Sequence, residues 1–259
     1  MKKKIMLLDG GMGQELIKNS KSDPHPLWST YVMFKEPDLV KKAHVDFIEA
    51  GASVVTLNTY STTPERLEAN NLLDKFSFFH KKAIDLAREA IDHTQKDVLI
   101  AGCLPPLVWS YRPDKAPDYD RCVDLYLQIV REQENFVDLF VCETMASIKE
   151  AKAAVMAAKT SGKTIWCGLT LEDNENCELR SGEKLIDCVN ELQSLGHQEI
   201  VLNCSSPEVI DKGMTILSQN LKFFGGYGNG FTSIEPLKTA SNVSCLLYTS
   251  DAADDLRGG

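Results

Sequence analysis

The sequence predicts an α/β protein, a (β/α)8 TIM barrel that is one β/α unit short. Short apolar runs alternate with longer amphipathic segments, which is typical of a parallel sheet covered by helices. Seven strands and six helices can be counted in this way, and that number favours a barrel over an open doubly wound sheet. The first turn, residues 9–13, contains glycines but lacks the GxGxxG spacing of a nucleotide-binding open sheet.

The predicted strands are short apolar runs that are rich in β-branched residues. They cover residues 5–8, 53–58, 98–102, 139–143, 164–171, 199–203 and 221–224.

The predicted helices have apolar residues three and four positions apart. They cover residues 38–50, 64–93, 118–136, 147–161, 183–195 and 207–219. We expect a break in the second of them near Asn70 and Asn71. Ser147 and Glu150 have the spacing of a capping box, which marks the start of the fourth helix.

The barrel has too little chain left to close. The seventh predicted strand ends near Gly225, and the remaining residues, about 35, are too few for a helix, a strand and a closing helix. We therefore expect an incomplete barrel domain over residues 1–243. Residues 244–259 look like a non-native tail, with 245–255 similar to a translated sequencing adapter, and we expect them to be disordered.

Composition excludes several functional classes. The 259 residues carry a net charge of −9, so nucleic acid is not an expected partner. The apolar run near the start has four residues, too few for a signal peptide or a membrane span, so we expect a cytoplasmic protein without a membrane partner. The eight cysteines contain no CxxC pair and are expected to be thiols, most of them in the core. The five histidines show no metal-ligand spacing.

Polar residues follow the predicted strands, and in a barrel such residues converge on one face. They are Asp9, Asn58 with Thr59, Cys103, Glu143 with Thr144, Glu172, Cys204, and Tyr227 with Asn229. Carboxylates there could bind the amino group of an amino acid, and a glycine-rich turn could bind its carboxylate. The Cys204 thiol suggests zinc, which prefers thiolate. Singly, Asp9 also fits a turn residue, Cys204 a core thiol, and Trp28 either a surface anchor or a pocket wall.

Together these motifs resemble the homocysteine S-methyltransferase family. The matching pieces follow the family's order over about residues 5 to 240. They are Leu8-Asp-Gly-Gly-Met-Gly13, Leu27-Trp-Ser29, His44 with Ala50-Gly-Ala52, Thr56-Leu-Asn-Thr-Tyr60, Cys142-Glu-Thr144, Leu179-Arg-Ser-Gly-Glu183 and Val201-Leu-Asn-Cys204.

The resemblance implies an enzyme that moves a methyl group onto the sulfur of homocysteine, giving methionine. It implies S-methylmethionine or S-adenosylmethionine as the small methyl donor. Asp9 and Glu143 match the acids that bind homocysteine, with the Gly10-Gly11 turn beside them. Thr59 matches a hydroxyl near the substrate. No catalytic side chain is implied beyond the metal-activated substrate thiol, and the oligomeric state is left open.

The resemblance also implies a Zn²⁺ cofactor, with Cys204 as the first of three thiolate ligands. The other two are adjacent cysteines in a Gly-Gly-Cys-Cys-Gly motif, which this sequence lacks. Only Cys245 follows Cys204, and it lies in the tail. We therefore expect weak zinc binding and little activity in this chain. The alternatives are a metal-free amino-acid-binding barrel and, less favoured, a lyase or aldolase, which would need a strand-end lysine.

Overall fold

Six parallel strands, hydrogen-bonded in sequence order, form the centre of the protein. The structure is a computed structural model that describes residues 5–229. The strands are β1 (Val54–Thr56), β2 (Leu99–Leu104), β3 (Leu139–Met145), β4 (Thr164–Leu169), β5 (Ile200–Asn203) and β6 (Phe224–Tyr227). A doubly wound sheet reverses its strand order at a switch point, and this order never reverses. The predicted barrel is therefore confirmed, and the alternative of a doubly wound sheet is excluded.

The sheet is curled rather than flat. The Tyr227 hydroxyl on β6 donates to Glu143 Oε1 on β3 at 3.4 Å. These strands are three spacings apart, about 14 Å in a flat sheet. Contact across that separation requires the strands to close toward one another, as in part of a barrel wall.

The first and last predicted strands differ most from the structure. Residues 5–8 form only an isolated parallel bridge, between Leu8 and Val54. β6 begins three residues later than predicted, because Leu221 packs as the buried cap of the preceding helix. Gly226 lies in β6 instead, where an added Cβ would be 2.9 Å from Ile210 Cγ2. The close packing of that helix therefore selects glycine in the strand.

All six predicted helices are present, with shifted ends. The helices are α1 (Met12–Asn19), α2 (Trp28–Lys35), α3 (Pro37–Glu49), α4 (Pro64–Glu68), α5 (Phe76–Thr94), α6 (Tyr119–Gln133), α7 (Ile148–Lys159), α8 (Leu185–Ser194) and α9 (Pro207–Asn220). Short 3-10 turns cover Leu73–Lys75 and Pro113–Lys115. The break predicted near Asn70 and Asn71 is confirmed, and Asn71 has a left-handed backbone with φ of 55°.

Helices α1 and α2 were not predicted because their buried faces are not apolar stripes. α1 buries only Leu16. α2 buries Ser29 and Thr30 together with Val32 and Met33. Neither pattern gives the apolar periodicity by which an amphipathic helix is recognised.

Alternate residues of the strands serve two cores. On β3, Phe140 and Cys142 pack toward the helices, whereas Leu139 and Val141 belong to a smaller cluster on the other face with Trp166. Side chains of a strand alternate between its two faces, so both faces of the sheet are covered. The polar residues are left at the strand ends.

Two predictions from composition can be compared with this structure. The seven cysteines within residues 5–229 are free thiols, and five of them are buried. In the same range no helix is both long and apolar enough to cross a membrane. The predicted tail, residues 244–259 with Cys245, lies outside the described residues.

The capping box at the start of α7 gives a test of the fold. Ser147 Oγ accepts from the Glu150 backbone N–H at 3.2 Å, and the hydroxyl lies 2.9 Å from Glu150 Oε2. Ser147→Ala should lower the free energy of unfolding by about 1 kcal/mol, because a helix N–H loses its partner. Urea unfolding measures this change. Ser218→Ala on the exposed face of α9 is the control, and equal stability of the two variants would contradict the cap.

Candidate active site

The predicted site residues meet at the carboxyl ends of the strands. Asp9 follows the Leu8 bridge, Glu143 lies near the end of β3, and Cys204 directly follows β5. Glu143 accepts on both oxygens, from the Cys103 thiol at 3.3 Å and from the Tyr227 hydroxyl at 3.4 Å. Strands β2, β3 and β6 therefore share one carboxyl group.

Asp9 is half-buried and is bound by β1 through two hydrogen bonds. Its Oδ2 accepts from the Thr56 backbone N–H at 2.8 Å, and its Oδ1 accepts from the Thr56 hydroxyl at 3.1 Å. Burial and, to a smaller extent, the charge of Glu143 raise the pKa of Asp9 to about 7, although the two hydrogen bonds from Thr56 act in the opposite direction. Asp9 therefore titrates near neutral pH.

Glu143 is the second acid of the site. Burial raises the pKa of its carboxyl group, opposed by the hydrogen bonds from Cys103 and Tyr227. Neither Asp9 nor Glu143 forms a salt bridge with a side chain of residues 5–229, and the largest influences on their pKa values include no cation. Two carboxyl groups thus face one region that lacks a counter-ion from the described part of the chain.

The Gly10-Gly11 turn lies beside these acids and leads into α1. Gly11 is the N-terminal cap of that helix. A Cβ on Gly10 would lie 2.5 Å from Phe47 Cε1, so the position requires glycine. Backbone N–H groups at a helix start attract anions, which suits the carboxylate role predicted for this turn.

Thr59 is buried rather than open to the site. Its side chain accepts from the Gln133 amide at 3.3 Å. The hydroxyl also lies in hydrogen-bonding contact with the Cys103 thiol and lowers the pKa of that thiol, against a larger rise from burial. Thr59 is therefore connected to Glu143 through Cys103.

Cys204 is half-buried in a left-handed backbone conformation with φ of 52°. Its Sγ accepts from the Thr144 hydroxyl at 3.4 Å and from the Asn203 amide at 3.5 Å. Its carbonyl accepts from Thr170 Oγ1 at 3.1 Å and from Arg180 Nη2 at 3.3 Å. Burial raises the pKa of the thiol. The chain fixes this thiol in place without ionising it.

The described residues do not fit a complete zinc site. Within residues 5–229 no three His, Cys, Asp or Glu side chains are arranged to bind a metal ion. The nearby thiol of Cys103 is directed to Glu143 instead. Zinc sites use at least three protein ligands, so Cys204 alone is insufficient.

Arg180 has a role at the site that the sequence did not reveal. Its side chain is 1% exposed and pairs with Asp173 at 3.0 Å and Glu172 at 3.4 Å. The guanidinium also lies over the Tyr111 ring, 5.4 Å from its centroid. Arg180, Glu172 and Tyr111 line a cleft of about 860 Å³ that also borders Lys149. Arg180 belongs to the matching motif at residues 179–183, but an arginine in a loop gives no signal of burial.

The structure also places Trp28, which the sequence left open, and His44, which belongs to one of the matching motifs. Trp28 is half-buried. A Cβ added to Gly13 would lie 2.5 Å from the Trp28 ring, and the rings of Trp28 and Tyr60 meet edge to face. It therefore forms a wall between α1 and the residues after β1. His44 is fully buried on α3 and has no hydrogen-bond partner for either ring nitrogen within residues 5–229. Burial lowers the pKa of His44 to about 4, which suits a packing role.

Fold and site together define a β/α-barrel protein with two carboxyl groups and a thiol at the mouth. The homocysteine S-methyltransferase family profile matches residues 6–245, and the chain belongs to this family. The resemblance predicted from the motifs is confirmed.

Individual relatives agree with this assignment. The Escherichia coli homocysteine S-methyltransferase is 29% identical over 226 residues, which are 80% of this chain and 71% of that protein. The Bacillus subtilis homocysteine S-methyltransferase YbgG is 25% identical over 264 residues, covering 93% and 82% of the two chains. The crystal structure of Escherichia coli MmuM in its metallated form has a TM-score of 0.78 at 24% identity, covering 91% and 87%. This last likeness supports the barrel fold.

The Asp9 carboxyl group makes the stability of the protein depend on pH. Its pKa rises from 3.8 to about 7 in the folded state, so the folded chain binds a proton more tightly than the unfolded chain. The stability from neutral Asp9 is fully present below pH 3.8 and is lost as pH rises through 7, by at most about 1.4 kcal/mol per pH unit. Asp9→Asn should flatten this part of the curve.

Urea unfolding at a series of pH values measures the effect. Asp211→Asn, an exposed acid on α9, is the control and should retain the slope of the original protein. Equal slopes for Asp9→Asn and the original protein would show that folding does not raise the pKa of Asp9.

Proposed function

We propose that this protein transfers a methyl group to the sulfur of homocysteine and releases methionine. The observation that carries the proposal is the pair of carboxyl groups, Asp9 and Glu143, without a described counter-ion. A ligand ammonium group would supply the missing positive charge. Family membership supports homocysteine as the amino acid that brings it.

Binding would follow from the charges at the mouth of the barrel. The α-ammonium group would lie near Asp9 and Glu143 and favour their ionised forms. The α-carboxylate would accept N–H groups at the start of α1, next to Gly10 and Gly11. The side-chain thiol is then left for the region of Cys204.

Methyl transfer itself needs positioning more than acid–base groups. The substrate thiolate attacks the methyl carbon, a sulfur–carbon bond forms, and the donor's bond to that methyl group breaks with its electron pair. We propose S-methylmethionine or S-adenosylmethionine as the donor. The cleft beside Arg180 has a volume of about 860 Å³, within the usual range of ligand sites.

The proposed function includes a zinc ion, for which Cys204 would be one ligand. A thiolate is a preferred zinc ligand, and the related MmuM has been crystallised in a metallated form. Since residues 5–229 group no second and third ligand with Cys204, no step of the transfer is assigned to the ion, and weak zinc binding is expected of this chain. We also propose a cytoplasmic setting, because the seven described cysteines are free thiols.

A second candidate function is a metal-free barrel that binds an amino acid without methyl transfer. The incomplete ligand set at Cys204 within the described chain favours it. This candidate shares the ammonium site of Asp9 and Glu143. It differs in having no requirement for the thiol.

Substitution of the two acids tests the ammonium site. Asp9→Asn and Glu143→Gln should each weaken homocysteine binding by about 10-fold to 100-fold, the worth of a charge-assisted hydrogen bond. Isothermal titration calorimetry without donor measures the Kd. Asp211→Asn should bind as the original protein does. Unchanged affinity in both acid variants would exclude the proposed site.

Substitution of the thiol separates the two candidate functions. For the enzyme, the low methyl transfer expected of this chain, assayed as methionine formed from homocysteine and either donor, should be abolished by Cys204→Ser or by a chelator. For the binding barrel, homocysteine binding should survive both treatments and no methionine should form. Cys177→Ser, another half-buried thiol, is the matched control. Transfer that persists in Cys204→Ser would remove Cys204 from the mechanism.

A further inference from the structure

Gln133, the last residue of α6, is fully buried and lies behind the site. Its Oε1 accepts from the Cys103 backbone N–H at 3.0 Å. A backbone N–H can only donate, so the orientation of the Gln133 amide is fixed. Its Nε2 must then donate, and it faces His80 Nδ1 at 3.0 Å and Thr59 Oγ1 at 3.3 Å, with the Cys103 carbonyl more distant at 3.4 Å.

His80 on α5 is fixed in the same way. Its Nε2 lies 3.1 Å from the Thr62 carbonyl, which can only accept, so Nε2 carries the proton. Burial lowers the pKa of His80 to about 3, so the ring is neutral and Nδ1 accepts from Gln133. One Gln133 N–H therefore goes to His80, and the other goes to Thr59.

This hydrogen-bond chain continues from Thr59 to Glu143, with the donors in the same direction. Because Thr59 Oγ1 accepts from Gln133, its own proton is available to the Cys103 thiol that it contacts. The Cys103 S–H then donates to Glu143 Oε2 at 3.3 Å. Each donor in the series points toward the carboxyl group.

A second hydrogen-bond chain reaches the other oxygen of Glu143. Asn203 Oδ1 accepts from the Thr144 backbone N–H at 3.2 Å, which fixes the Asn203 amide. Its Nδ2 donates to the Tyr227 hydroxyl at 3.0 Å, and also to Thr144 Oγ1 at 3.0 Å. The Tyr227 hydroxyl donates onward to Glu143 Oε1 at 3.4 Å.

We propose that Gln133 and Asn203 are positioning residues, whose two directional hydrogen-bond chains hold Glu143 as an ionised acceptor before substrate arrives. Protonation of Glu143 would weaken both of these contacts, because a neutral carboxyl group is a poorer acceptor than a carboxylate. The chains therefore preset the negative charge that an amino-acid ammonium group requires. This use of the charge rests on the proposed function, whereas the ionisation of Glu143 does not.

Infrared spectroscopy tests the ionisation without any substrate. Spectra of the protein labelled with ¹³C-glutamate are compared with those of Glu143→Gln, and the difference should show no protonated glutamic acid at neutral pH. Gln133→Met keeps the side-chain volume but removes the donors. The difference between Gln133→Met and the double variant Gln133→Met/Glu143→Gln should show one protonated glutamic acid. Tyr227→Phe breaks the other hydrogen-bond chain, and its difference from Tyr227→Phe/Glu143→Gln should show the same signal.

Calorimetry with homocysteine provides the second readout. Gln133→Met and Tyr227→Phe should each raise the Kd about 10-fold, as expected when one charge-assisted contact is weakened. Gln133→Glu keeps the shape but loses the donors and should not restore binding. His197→Phe is the control, since buried His197 also faces a backbone carbonyl, that of Glu199 before β5, at the opposite end of the strands.

The outcomes separate structure from positioning. If Gln133→Met and His197→Phe lose stability alike, and neither the acid signal nor the Kd changes in Gln133→Met, Gln133 serves packing alone and the proposal is overturned. If Gln133→Met does not fold, the same comparison with Tyr227→Phe decides. If the original protein binds no homocysteine while the infrared results hold, the proposed function fails and the positioning of Glu143 stands.

Discussion

The two hydrogen bonds on Glu143 join strands that are not neighbours of each other. Cys103 donates from β2 and Tyr227 from β6, so one carboxyl group connects the early and late parts of the described sheet. The same contacts require the sheet to curl and place the carboxyl group at the mouth. Architecture and site chemistry thus depend on a single acceptor, which has no described cation to neutralise it.

Backbone strain recurs around the mouth, where three of the seven non-glycine residues with positive φ in the described chain lie. Tyr111, Thr144 and Cys204 are non-glycine residues with φ between 52° and 61°. Such conformations cost roughly 1–3 kcal/mol each and persist only where the surroundings enforce them. Arg180 enforces one of them, because its buried guanidinium binds the Cys204 carbonyl while it is paired to Asp173. The strained turns let side chains after the strands point into the mouth.

Sequence reasoning could locate the acids and the thiol but not their support. Asp9, Glu143 and Cys204 were predictable because polar residues after apolar strands converge in any parallel barrel. Gln133 was not, since a glutamine at the end of an amphipathic helix is typical of an exposed position. α2 was missed because Ser29 and Thr30 occupy its buried face. Burial of polar groups depends on partners distant in sequence, and local periodicity does not contain them.

The electrostatics of the mouth separate substrate binding from metal chemistry. Burial, together with the charge of Glu143, raises the pKa of Asp9 to about 7, and a bound ammonium group would relieve the cost of ionising it. That relief needs neither Cys204 nor a metal ion, whereas activation of a thiol does need a ligand set larger than the described one. A neutral thiol without an amino group would gain nothing from the two acids. Under the proposed function, the described chain would therefore supply the selectivity for an amino acid, and the reactivity of the sulfur would depend on a separate set of groups around Cys204.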